Sequence, residues 1–272
     1  MSRLRIALIG SRELEKNKAY EGDVKICCNV CLRLAQLKVQ FTSGLCELGM
    51  DGIAQKAYSK ALDLGWIDES YFEVYVAEQK NIDRSSLPNK HLAKVRNKDL
   101  IKKSEDLARS VMGDSHWNNC NEWSRGMHSR NCHQILGWDL QSPVDAVICW
   151  TPEGKVVGGT ATALKLAMKA GIPIFNLGRH DQDKVLEEIR QFLLDHNVVG
   201  VNMNTQDYID SIKQKNLEKA KWVLKMRFGD DLNKLKEFYE NRQSEHSWAD
   251  LKTVIEVLES ESEIYHKEYQ NK

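Results

Sequence analysis

The sequence predicts an α/β fold: a Rossmann-like open, mainly parallel sheet with helices on both faces, plus a C-terminal α-helical extension. Three observations predict it. Short apolar runs alternate with longer stretches at helical spacing, the pattern of repeated β-α-β units. Three turns built from small residues, Gly10-Ser11-Arg12, Thr42-Ser43-Gly44 and Gly158-Gly159-Thr160, lie between such a run and a helical stretch. From residue 202 to 272 only helical periodicity remains, dense in Lys and Glu. The expected division is therefore a Rossmann-like domain at 1–201 and a helical extension at 202–272.

The elements follow in order. Residues 4–9 read as a buried strand ending at Gly10, and 20–37 carry Val24, Cys27, Cys31 and Leu34 at helical spacing. Residues 39–41 form a short strand opening into Thr42-Ser43-Gly44, followed by a helix over 49–64 and a third strand over 72–76. Turn residues in Ser85-Ser86-Leu87-Pro88-Asn89 predict a loop over 81–90. A helix is expected over 91–112, and 113–130 has little periodicity, which marks a long irregular segment of the functional kind. Residues 144–150 are a strand, 160–170 a helix closed by Gly171, 172–175 a strand, and 181–194 an amphipathic helix.

Composition narrows the function classes. The 42% hydrophobic content suits a folded globular chain rather than a disordered one. Lys plus Arg equal Asp plus Glu at 39 each, so any nucleic-acid surface has to be local. No run approaches the roughly 20 apolar residues that span a bilayer. The start runs into strand-like Ile6-Ala7-Leu8-Ile9 without a cleavage pattern, and seven scattered cysteines suit reduced thiols. A cytoplasmic location with no membrane partner is expected.

Each small-residue turn carries chemistry suited to an anion. In an open parallel sheet, ligands sit beyond the carboxyl ends of the strands. Gly10 lets a phosphate approach the backbone, Ser11 supplies a hydroxyl, and Arg12 a bidentate cation. Ser43 and Gly44 repeat the device, and Asp51 near the next helix start either caps that helix or touches a ribose hydroxyl. Gly158, Gly159 and Thr160 stand at a third helix start, where free N–H groups attract anions. This is neither a Walker A loop nor a Gly-x-Gly-x-x-Gly fingerprint.

Taken together these motifs resemble the SLOG superfamily, which includes the DprA/SMF recombination mediators and the "lonely guy" phosphoribohydrolases. The resemblance rests on the strand ending Gly10-Ser11-Arg12, then Ser43-Gly44 with Gly49, Asp51 and Ala54. It continues through Gly158-Gly159-Thr160, Ala163, Ala167, Gly171-Ile172-Pro173 and Asn176-Leu177. His128-Ser129-Arg130-Asn131 with Ile148-Cys149-Trp150-Thr151-Pro152 is most similar to DprA-like proteins of tailed phages. The resemblance covers about residues 4–180. It implies a nucleotide ligand whose phosphate meets the three turns and Thr151, with Arg130 and Asn131 reading the ribose or a second phosphate.

Two departures qualify what is implied. The phosphoribohydrolases carry an acid shortly after their Gly-Thr, where this chain has Ala161-Thr162-Ala163. Glu47 and Glu153 are the carboxylates left to replace it. The DprA proteins bind single-stranded DNA on a basic surface, and the candidates here are local: Arg96, Lys102 and Arg125, with Trp117 and Trp123 for stacking. His116, Cys120, His128 and Cys132 have i, i+4 spacings that a zinc ion could use, but the grammar is too loose to assign a metal. The cysteines at 27, 28 and 31 read as core. The tail could wrap its own domain, build a dimer or hold a partner, and a homo-oligomer is expected. The leading expectation is a nucleotide or single-stranded nucleic-acid binder, either a recombination mediator or a protein that senses or sequesters a nucleotide. The alternative is an N-glycosidic hydrolase or transferase on the same fold.

Overall fold

A computed structural model describes residues 3–198 of the chain. Six parallel strands form one sheet: β1 (Arg5–Gly10), β2 (Gln40–Gly44), β3 (Phe72–Val76), β4 (Lys94–Val95), β5 (Ala146–Trp150) and β6 (Ile174–Asn176). Their order across the sheet is β4-β3-β2-β1-β5-β6. The helices are α1 (Glu13–Lys16), α2 (Glu21–Gln36), α3 (Met50–Asp63), α4 (Gln79–Arg84), α5 (Ile101–Met112), α6 (Asp114–Asn118), α7 (Glu122–Leu136), α8 (Ala161–Lys169) and α9 (Gln182–Asp195). The extension expected over 202–272 lies outside the described residues. Among the described residues no helix is long and apolar enough to cross a membrane.

The strands are apolar on both faces because both faces are covered. On β1, Ile6 and Leu8 join one core with residues of α2, α3 and α9, while Ala7 and Ile9 join a second core with α5, α7 and α8. On β5 the alternation repeats, with Ile148 and Trp150 on the first side and Val147 and Cys149 on the second. Trp150 is fully buried. Its indole donates to Asp23 Oδ2 at 2.8 Å, so the largest core side chain brings its polar atom satisfied.

Four expectations change. Residues 42–44 belong to β2 itself, pairing with β3 through Gly44 and Tyr75, so the turn starts only at Leu45. Within the expected loop 81–90, α4 forms through a capping box. In it, Glu78 N–H donates to Asn81 Oδ1 at 2.9 Å and Asn81 N–H bonds back to Glu78. The helix expected over 91–112 begins only at Ile101, because Lys94 and Val95 extend the sheet as β4.

The largest change is at 113–130. Instead of an irregular segment, Gly113 (φ +87°) separates α5 from α6, and Asn121 caps α7 by accepting from Ser124 N–H at 2.9 Å. The helical period was invisible because α7 buries polar residues: Ser129, Arg130, Asn131, His133 and Gln134 lie on its covered side. This helix packs on β2 and β3 and against α5 and α8, which carries its polar face to the strand ends.

Candidate functional site

The chain leaves β1 toward β2 on one side and reaches β5 on the other, so β1 and β5 are neighbours in the sheet but far apart in sequence. At such a switch point the two connections diverge and open a crevice beyond the carboxyl ends of the strands. A cavity of about 720 Å³ lies here, lined by Gly10, Ser11 and Arg12 after β1, by Cys46, Glu47 and Asp51 after β2, by Met127, His128, Arg130, Asn131 and Gln134 of α7, and by Gly158, Gly159 and Thr160 before α8. That size suits a small-molecule ligand.

The floor is held together by Asp51. It stands in the first turn of α3 without capping it. Its Oδ2 accepts from Gly10 N–H at 3.2 Å, and its Oδ1 accepts from Gly44 N–H at 2.9 Å and from Gln134 Nε2 at 3.4 Å. One carboxylate thus joins the ends of β1 and β2 to α7, which departs from the expected role of helix cap. Burial pushes its pKa up, and the neighbouring Arg130 pulls the other way.

Arg130 is the unusual group. Its side chain is 7% exposed, and its nearest acid is Asp51 at 3.7 Å. That separation is beyond hydrogen-bond reach. No described residue accepts a hydrogen bond from it, and its Nε is buried without a partner. Burial lowers its pKa from the ordinary arginine value, yet a guanidinium remains a cation. Gly44 makes room for it: a Cβ there would collide with the guanidinium carbon and with Asp51. A buried cation without hydrogen bonds is costly. The cavity that it lines is where an anion could satisfy it.

The second anion-suited wall is the turn before α8. Gly158 has φ +68°, open space lies around both glycines, and no described residue accepts from the amides of Gly158, Gly159 or Thr160. Asn131, expected to read a ligand, instead donates from Nδ2 to the Gly159 carbonyl at 3.0 Å and so sets the turn. His128 is tied to the same helix start through its Nδ1 and Thr162 Oγ1, 2.9 Å apart. Its pKa is lowered by burial first, then by His116 and Arg130, which keeps the ring neutral near pH 7. On the opposite wall, Arg12 is exposed and makes no hydrogen bond or ion pair with a described residue.

No family model, no curated protein and no solved structure matches this chain. The site is therefore read from its own chemistry.

Several expected site residues serve the scaffold. Ser43 is buried, donates to the Leu8 carbonyl at 2.7 Å and does not line the cavity. Thr151 is buried too; its Oγ1 accepts from Asn176 Nδ2 at 2.6 Å. Ser11 N–H is spent on the Trp150 carbonyl at 2.9 Å, and its Oγ accepts from Glu13 N–H at 3.2 Å. Glu153 sits outside the cavity lining, exposed and paired with Lys155. Glu47 does line the cavity, and two hydrogen bonds from Ser86 hold its carboxyl below the ordinary range.

The nucleic-acid candidates separate in the same way. Trp123 lines the cavity mouth and is 51% exposed. Trp117 is buried with Arg125 over its ring at 5.6 Å, and Arg125 Nε donates to the Trp117 carbonyl at 3.3 Å, so this pair fastens α6 to α7. Arg96 pairs with Glu105 at 3.4 Å, and Lys102 with Asp106 one turn along its own helix. None of these four lines the cavity. The thiols of Cys120 and Cys132 donate to backbone carbonyls, and no group of three or more His, Cys, Asp or Glu is placed to hold a metal ion among the described residues. Cys46 and Gln134 were not singled out from the sequence. For Gln134 the signal was present as the spacing Met127, Arg130, Asn131, Gln134, readable once 122–136 is taken as a helix.

Proposed function

We propose that the crevice binds a nucleotide, its phosphate drawn to Arg130, Arg12 and the amides before α8, with the base near Trp123. The observation that carries this is the Arg130 guanidinium, buried in the cavity wall without a hydrogen bond. Charge-assisted bonds to phosphate are among the strongest available to such a group. Unspent N–H groups at a helix start and an exposed tryptophan supply the other two needs of a nucleotide, an anion hole and a stacking surface. This reading accords with the SLOG resemblance at the level of the crevice. The strand-handling, DprA-like version has less support, because Arg96, Lys102, Trp117 and Arg125 are engaged away from the cavity. A ligand that is sensed or sequestered requires no catalytic group.

The test is thermal denaturation of the full chain with each common nucleotide and with a single-stranded DNA oligomer. A ligand present at 100 times its Kd stabilises by about 2.7 kcal/mol, and the expected rise in Tm is several degrees, absent in Arg130→Lys. No rise with any nucleotide, together with no retention of the oligomer at low salt, refutes the proposal.

A second reading, cleavage of an N-glycosidic bond, draws on one observation: Glu47 lines the cavity, and an oxocarbenium-like transition state needs a carboxylate. It lacks the acid after Gly159-Thr160. Release of free base from a nucleoside monophosphate, lost in Glu47→Gln, would favour it.

A further inference from the structure

We infer that Glu47 is the ribose-reading group of the crevice and makes the site selective for ribonucleotides over 2′-deoxyribonucleotides. The inference rests on the nucleotide reading above.

Arg130, Arg12 and the amides before α8 favour an anion, yet Glu47 lines the same cavity. A carboxylate held ionised in an anion site repels phosphate, so it is tolerated only where the ligand presents hydrogen-bond donors. On a nucleotide those donors are the ribose hydroxyls and, for some bases, an amino group. Of the other carboxylates that line the cavity, one is committed elsewhere and one stands after β1. Asp51 spends both oxygens on Gly10, Gly44 and Gln134, and Glu13 pairs with Lys16 at 3.8 Å. Glu47 differs. Its Oε1 accepts from both the amide and the hydroxyl of Ser86, at 2.6 and 2.9 Å. The Ser85 hydroxyl stands close enough to help keep the carboxyl ionised. One oxygen thus fixes the side chain, and the exposed carboxylate keeps acceptor capacity for a further donor.

Position supports the role. Glu47 follows the end of β2 (Gln40–Gly44), on the carboxyl-end side of the sheet where open α/β folds hold their ligands. Arg130 lies against Gly44 at that same strand end, so a buried cation without a hydrogen bond and a carboxylate with one oxygen engaged both follow from the end of β2. A phosphate at one and a sugar hydroxyl at the other are complementary to both. A carboxylate here also rejects 2′-phosphorylated sugars by like-charge repulsion.

The experiment compares Kd for the four ribonucleoside 5′-monophosphates with those for their 2′-deoxy counterparts, by titration calorimetry on the full chain and on Glu47→Gln. A hydrogen bond to a charged acceptor at an exposed rim predicts that the ribose form of the accepted base binds about 10-fold tighter. In Glu47→Gln that ratio should fall toward one. A second variant, Ser86→Ala, loosens the anchor without touching the carboxylate and should give an intermediate ratio. Equal affinity for ribo and deoxy forms of a nucleotide that binds overturns the inference and leaves the nucleotide reading standing. No binding of any of the eight overturns both. Release of free base from the ribonucleotide, abolished in Glu47→Gln, overturns it in favour of glycosidic cleavage.

Discussion

The end of β2 and the turn before α8 look alike in sequence, small residues ahead of a helix, yet they do opposite work. At the first, Gly44 exists for packing: its missing side chain leaves space for the Arg130 guanidinium, and its amide is consumed by Asp51. At the second, Gly158 exists for conformation, at φ +68° with nothing near it, and the amides around it are unspent. A glycine that permits close contact and a glycine that permits a backbone bend leave the same letter. What separates them is what stands opposite in the fold: a buried ion pair in one case, open cavity in the other.

The sharpest way to break this comparison is at the closed end. Asp51→Ala removes the acceptor from two strand-end amides and leaves Arg130 as a buried charge with no counterion. Loss of one partner from such a pair costs about 3–5 kcal/mol, and chemical denaturation should register a fall of that size. A fall under about 1 kcal/mol, the scale of an exposed pair, would mean that Asp51 is not the strut of the crevice floor.

Gly44→Ala tests the packing role next. The new Cβ meets Asp51 and the far end of a flexible side chain, so the guanidinium is displaced while the strands stay in place. Overpacking of this kind costs about 1–3 kcal/mol, and nucleotide-dependent stabilisation should vanish with it. Retention of the ligand effect would show that Arg130 acts from another position.

The open end should respond differently. Gly158→Ala meets no atom, and its cost is that of an L-residue in the left-handed region, about 1–2 kcal/mol. Stability falls modestly while ligand affinity falls as well, because the amides lose their arrangement. Equal loss of stability in Gly158→Ala and Asp51→Ala would erase the distinction drawn between the two turns.

This difference explains what was legible in the sequence. The alternating sheet and the elements 5–10, 21–36, 50–63, 72–76 and 146–150 announce themselves because most of their buried positions are apolar, and apolar periodicity is the primary signal. Helix α7 does not, since the face it buries carries Ser129, Arg130, Asn131, His133 and Gln134. Reading by hydrophobic pattern fails where a polar face is covered, and here that face is the wall of the candidate site. Gly10, Gly158, Gly159 and Thr160 are legible as cavity residues because they lie between a strand and the helix that follows it, and Arg12 because it comes just after Gly10. Ser43 and Thr151 were legible only as polar residues at strand ends. Their buried bonds to Leu8 and Asn176 depend on strand neighbours that no local pattern reveals. Glu153 was placed in reach of the crevice by sequence distance alone, and a left-handed residue (φ +54°) takes it outward to Lys155.

The smallest effect concerns protons at the open end. His128 has a pKa below its ordinary 6.5, with burial as the first cause. The unfolded chain therefore takes up this proton at a higher pH than the folded one does. Between 6.5 and the lower folded value the unfolded state binds more protons, so stability rises with pH through that window and falls as pH drops through it. Buried His133 has a lowered pKa as well and adds to the same slope. His128→Gln should flatten the slope in part, leaving the His133 share. Because His128 is joined to Thr162 in the first turn of α8, a phosphate held at that helix start favours its protonated ring. The titration of the phosphate itself, at about pH 6, acts on wild type and variant alike, so saturating nucleotide should shrink the slope more in wild type than in the variant. Denaturation curves from about pH 5 to 7.5, with and without ligand, decide it. An equal effect of the ligand on both slopes would place the phosphate away from α8, at the Arg130 end of the crevice.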